Sequence, residues 1–98
     1  MNEELRRINE VDRTIHEPSR LMIVAMLSAV KEADFLYLLQ ATELTKGNLS
    51  SHLSRLEKAG YIEIEKTFVG KTSRTVCRLT DEGQKALAEY REQIRVIL

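Results

Sequence analysis

The chain lacks tryptophan and has a single proline, a single cysteine and four glycines among 98 residues. One cysteine excludes an internal disulfide and any zinc site drawing several thiolates from one chain. No linker, repeat or low-complexity stretch breaks the sequence. No apolar run reaches membrane-spanning length, and the opening MNEELRRINE is too polar for a secretory h-region. A cytoplasmic protein without membrane contact is therefore expected. There is no nucleophile–base pair, no phosphate-cradling glycine loop and no carboxylate cluster, so neither an enzyme nor a cofactor is expected. No metal site is expected either, because His16 and His52 are far apart in sequence.

What is present suits one ordered domain over residues 1–98. Composition is 43% hydrophobic and 31% charged, and this length allows one modest core. Net charge is zero, but it is unevenly placed. Residues 1–45 hold five Lys/Arg against eight Asp/Glu, residues 46–78 seven against three, and residues 79–98 three against four. A basic middle third between acidic flanks makes a local field although the sum vanishes.

The order of elements follows from period and caps. Leu5, Ile8, Val11 or Asp12, and Ile15 predict a short amphipathic helix over 1–16. Pro18 sits where a helix tolerates proline, in its first turn. The run LMIVAMLSAV then reads as a buried central helix ending near Lys31 or Glu32. Asp34 caps a third helix bearing Phe35, Leu38 and Leu39. After a tight connection Thr45 caps a fourth, which stops at Gly60. Residues 61–68, YIEIEKTF, alternate like a strand, VGKTSR reads as a turn or loop, and TVCRL returns as a second strand. Thr80 caps a last helix over 80–98, with Asp81 and Glu82 in its first turn. The fold class is mainly α with a small β-hairpin. Residues 18–79 are expected to form a helix-turn-helix core followed by the hairpin.

The fourth helix, about residues 45–59, has an odd composition. Leu49, Leu53 and Leu56 fall within ~60° of one another at the α-helical step and make a buried stripe. The other faces carry Gly47, Asn48, Ser50, Ser51, His52, Ser54, Arg55 and Lys58. Several of these are mediocre helix formers where Glu, Lys and Ala would serve better. Short, polar and cationic side chains are what a DNA major groove requires of a helix. Asn and Arg can read base edges, Ser and Thr can meet bases or phosphates, and the helix N-terminus attracts a phosphate.

LTKGNLSSHLSRLEKAGYI, residues 44–62, resembles the signature LTxGNLSxHLxxLExAGYI of a small stand-alone group of winged helix-turn-helix regulators, ArsR/MarR-like, found in bacteria and archaea. FVGKTSRTVCRLTDEGQKAL resembles the group's wing and following helix, and HEPSRLMIVAML its first core helix. The resemblance spans about residues 14–90. It implies a homodimeric transcriptional regulator bound to double-stranded DNA. Its recognition-helix positions carry over onto Thr45, Lys46, Asn48, Ser50, Ser51, His52 and Arg55. Its wing, about residues 66–76, carries over onto Lys71, Thr72, Ser73 and Arg74. Two departures stand out: Glu43, where relatives often have glycine, and Ser73, where proline often stands. If residue 43 needs positive φ, glutamate costs about 1 kcal/mol there.

The terminal stripes, Leu5, Ile8 and Ile15 on one side and Leu87, Tyr90, Ile94 and Ile97 on the other, offer apolar surface for a dimer interface. Arg20 is a candidate for a DNA phosphate, for an acidic partner across the dimer, or for plain solvation. Cys77 reads as a small packed hydrophobe rather than a sensor. The rival to DNA binding is a protein-interaction module, which suits the neutral charge. RNA binding lacks an aromatic platform, since Phe68 alone lies in the wing and is expected to pack inward. A small-molecule effector is left open.

Overall fold

The computed structural model describes residues 3–98, apart from the Glu4 side chain. Helix α1 (Glu3–Arg6) passes into a 3-10 turn (Arg7–Glu10), followed by α2 (Pro18–Val30), β1 (Glu32–Asp34), α3 (Phe35–Thr42) and α4 (Lys46–Lys58). Strands β2 (Ile62–Val69) and β3 (Thr72–Leu79) form the hairpin, and α5 (Asp81–Ile97) ends the chain.

Local hydrogen bonds set most helix starts. Asp34 accepts from the Tyr37 N–H, Thr45 from the Asn48 N–H and Thr80 from the Gly83 N–H, each satisfying an amide with no intrahelical partner. Glu17 caps α2 through Oε1 and the Arg20 N–H, with Pro18 in the first turn. Gly60 leaves α4 at φ 84°.

The first helix is shorter than its 1–16 pattern suggests. The backbone turns extended at Val11 (φ −68°, ψ 155°). Asp12 Oδ1 then accepts from the Thr14 and Ile15 N–H groups, at 2.8 and 3.2 Å. A carboxylate that binds its own downstream amides competes with the helix and here wins. Asp12 Oδ2 also accepts from the Tyr61 hydroxyl, which ties this segment to the α4–β2 junction. Burial first, and the Asp12 carboxylate next, push the Tyr61 phenol up to about 12.

Three antiparallel strands form a sheet of order β1-β3-β2. Strand β1 is absent from the sequence pattern, since three residues are too few to show a period. Pairing in the hairpin runs from Ile62↔Leu79 to Val69↔Thr72. The expected loop over 69–74 is therefore a two-residue turn, Gly70–Lys71. Gly70 has φ 65°, the position where a two-residue hairpin turn needs glycine. Phe68 is not packed inward: it is 69% exposed near the tip, because the hairpin extends beyond the body that could cover it.

The main core joins Ile23, Val24 and Leu27 of α2 with Leu38, Leu49, Leu53, Leu56, Ile62, Cys77 and Leu87. A second cluster joins Val11 and Ile15 to Ala86 and Tyr90, with Ile94 and Ile97 packed beside it. Ile15, Leu87 and Tyr90 are thus buried within the chain itself and are not available to a second copy. The His16 ring meets the Tyr90 hydroxyl at 2.7 Å, closing the same seam. Burial also pushes the Cys77 thiol up to about 11, as a packed hydrophobe requires and a thiolate sensor does not.

Lys31 ends α2 at φ 71°, ψ −46°, and its N–H bonds the Leu27 carbonyl at 2.9 Å. A side chain there costs on the order of 1–3 kcal/mol, against about 0.5–1 kcal/mol of extra chain entropy for glycine. Lys31→Gly is expected to stabilise the fold by about 1 kcal/mol, read as a higher midpoint in urea at unchanged slope. A lower midpoint would mean that contacts of the lysine outweigh the backbone strain.

Candidate nucleic-acid interface

Helices α3 and α4 are joined by Glu43, Leu44 and Thr45. Glu43 adopts the left-handed conformation (φ 58°, ψ 20°), the geometry for which glycine is the low-cost residue. The turn is closed by the Glu43 N–H to the Leu39 carbonyl and by the Thr42 hydroxyl to the Leu38 carbonyl. Leu49, Leu53 and Leu56 anchor α4 in the core. The remaining surface of α4 is turned outward: Lys46, Gly47, Asn48, Ser50, Ser51, Ser54, Arg55 and Lys58 are all exposed, and so is the capping residue Thr45.

His52 differs from its neighbours. It is half-buried, and its Nδ1 lies 3.1 Å from an Arg20 Nη1. A guanidinium can only donate, so Nδ1 accepts and Nε2 carries the ring proton. Arg20 is neither solvated nor on the outer surface. Only 9% exposed, it also donates to the Thr14 carbonyl at 2.6 Å and the Arg13 carbonyl at 3.5 Å.

At the hairpin Lys71, Thr72 and Ser73 are exposed at the tip. Arg74 is engaged inside the chain, with its Nε 3.2 Å from Asp34 Oδ2. Asp34 therefore caps α3 and ties the hairpin to it. The Tyr37 backbone N–H, more than Arg74, holds its carboxyl below the usual range. Arg78 spans the sheet, bonding Glu32 and Glu65 at 3.1 and 2.8 Å.

Grooves flank α4 on both sides. One, against the hairpin, is lined by Phe35, Ser50, Leu53, Ser54, Ile64, Lys66 and Thr75. The other, against the segment before α2, is lined by Arg13, Thr14, Arg20, Arg55, Lys58 and Ala59. Arg13 and Lys58 do not emerge as site residues from the sequence. Their only signal is charge, and the two lie far apart in the chain. Among the described residues no three His, Cys, Asp or Glu side chains gather as a metal set, and no helix is long and apolar enough to cross a membrane.

The winged helix DNA-binding domain model matches residues 19–98. The chain belongs to this family. An uncharacterized protein of Methanocaldococcus jannaschii is 34% identical to this winged helix over 71 residues, covering 72% of this chain and 77% of its own. The solved structure of a transcriptional regulator homologue from Pyrococcus horikoshii OT3 superposes with a TM-score of 0.88 at 29% identity, covering 98% of this chain and 94% of that one. A MarR-family regulator from Silicibacter pomeroyi, at 18% identity, shares the fold with a TM-score of 0.68, over 96% of this winged helix and 60% of its own length. Regulators of the ArsR and PadR families share it as well. The β2–β3 hairpin is accordingly the wing of this fold, and α3 and α4 form its helix-turn-helix. The family is one of DNA binding, not catalysis.

Proposed function

We propose that the chain is a sequence-specific transcriptional regulator that binds double-stranded DNA as a homodimer. Helix α4 enters the major groove, and the wing lies on the backbone or in a minor groove. The observation that carries this reading is the exposed face of α4. Asn48, Ser51 and Arg55 stand on it with little bulk between them, on a helix whose opposite stripe is fully anchored. Asn and Arg supply bidentate readout of base edges, while Lys46 and Lys71 neutralise phosphates. Thr45, Ser50, Thr72 and Ser73 are placed for phosphate or sugar contacts. Arg74 contributes mainly by holding the wing to α3.

The dimer reading rests on what the fold leaves uncovered at one end. Leu5 is 42%, Val96 49% and Leu98 90% exposed, and Ile8, Ile94 and Ile97 are half-covered. The molecule extends 59 × 26 × 21 Å, and α5 alone is roughly 25 Å long. A two-fold contact through α1 and α5 would bring two recognition helices about one DNA turn apart, near 34 Å.

Fluorescence anisotropy with DNA from upstream of the gene, against a scrambled duplex, tests the reading. Tighter binding to the native fragment with a steep salt slope is expected. Lys71→Ala should weaken both duplexes alike and reduce the slope by about 1. Near-zero affinity for both, even at low salt, would favour a protein-interaction module. A monomer by sedimentation at working concentration, with specific DNA binding intact, would remove the dimer and leave the DNA reading.

A further inference from the structure

We propose that the groove between the Arg13–Thr14 segment and the last turns of α4 holds a backbone phosphate of the bound DNA, gripped by Arg13 and Lys58. The inference rests on the reading of α4 as the DNA-facing helix.

The groove is lined by four cations, one threonine and one alanine, with no carboxylate. Like charges drawn together from distant parts of a chain repel, and an anion placed among them relieves that repulsion. Arg20, at the floor, is the most informative. Buried charges are ordinarily paired with an opposite charge, yet Arg20 has three neutral acceptors, the Thr14 and Arg13 carbonyls and His52 Nδ1. Among the described residues no carboxylate lies within 4 Å of its guanidinium. Glu17, the acid beside it, gives Oε1 to the backbone N–H of Arg20 and lies 3.9 Å from His52. Among the described residues the positive charge is therefore hydrogen-bonded to neutral acceptors without a direct ion pair, and it adds to the cationic lining of the groove. By holding the Arg13 and Thr14 carbonyls, Arg20 also positions Arg13; it is a positioning residue, not part of the grip.

The location selects a nucleic-acid phosphate over other anions. Arg55 belongs both to the outward face of α4 and to this groove. A helix seated in a major groove has a phosphate wall on either side. The wing and Lys66 lie on one flank of α4, and the Arg13–Lys58 groove lies on the other. Contacts on both flanks would fix the angle at which α4 enters.

The test uses the full chain with Arg13→Ala/Lys58→Ala, both exposed positions, after confirming an unchanged thermal midpoint. On a duplex that the wild type binds, the slope of log K against log salt should fall by about 1, so the variant's deficit shrinks about four-fold when the salt is quadrupled. The preference for native over scrambled DNA should not change. Neutral methylphosphonates placed singly along the duplex should reveal one position per half-site that penalises the wild type and not the variant. An unchanged slope, or a lost preference for the native duplex, would overturn the phosphate site while leaving DNA binding intact. Absence of salt-dependent DNA affinity in the wild type would overturn the DNA reading itself, and the groove assignment with it.

Discussion

Gly83→Ala is expected to destabilise the protein by about 3 kcal/mol, although alanine is the better helix former by about 1 kcal/mol. Gly83 is buried in the first turn of α5, where the helix start meets the α4–β2 junction. The Thr80 N–H bonds the Tyr61 carbonyl at 3.0 Å and the Thr80 hydroxyl bonds the Gly60 carbonyl at 2.7 Å, so the two backbones are pinned together. A methyl at residue 83 would overlap the Tyr61 carbonyl oxygen. It would also come within 2.7 Å of Leu79 Cδ1 and 3.0 Å of the Tyr61 carbonyl carbon. The obstacle is backbone held by a hydrogen bond, not a flexible side chain, so relief requires α5 to lift and break its own cap. For a domain of this size the loss corresponds to a drop in Tm of roughly 10–20 °C, measurable by circular dichroism. A rise in Tm would show that propensity wins and that the approach of α5 is looser than described.

The second large effect is expected at Arg55. Arg55→Ala should cost about 1–3 kcal/mol on the native operator, roughly 5- to 150-fold in Kd, and should relax discrimination at one base position. Arg55 is exposed on α4 and lies in none of the ion pairs among the described residues, so its fork of donors is available to a base edge. Arg55→Lys separates charge from geometry. Lysine keeps the positive charge but not the bidentate fork, so the salt slope should hold while discrimination falls. Equal losses on native and scrambled duplexes for both variants would mean that Arg55 meets only phosphate. Neither substitution reaches the core, so the thermal midpoint should barely move.

Sequence reasoning reached the helices of the core because their signals lie within three or four residues of one another. Asp34, Thr45 and Thr80 cap helices through amides three positions on, and the leucine stripe of α4 repeats within two turns. The same reasoning overextended the first helix, where Asp12 binds its own downstream amides and ends the regular pattern. It also drew the hairpin loop too long, since the strand pairs right up to Gly70–Lys71 although the small polar residues around them look like loop.

By itself the sequence determined the order of the core helices and the hairpin, the buried and exposed sides of α4 and the basic middle third, all properties of neighbours along the chain. The tertiary structure alone decided where the longer-range residues went. Arg20 meets His52 32 positions away, Arg74 meets Asp34 40 positions away, and His16 meets Tyr90 74 positions away. It also turned Ile15, Leu87 and Tyr90 into core and left Phe68 in solvent. A periodic pattern shows that a face is apolar or charged. Which surface covers an apolar face, and which charge meets which partner, depends on distances that exist only once the chain has packed.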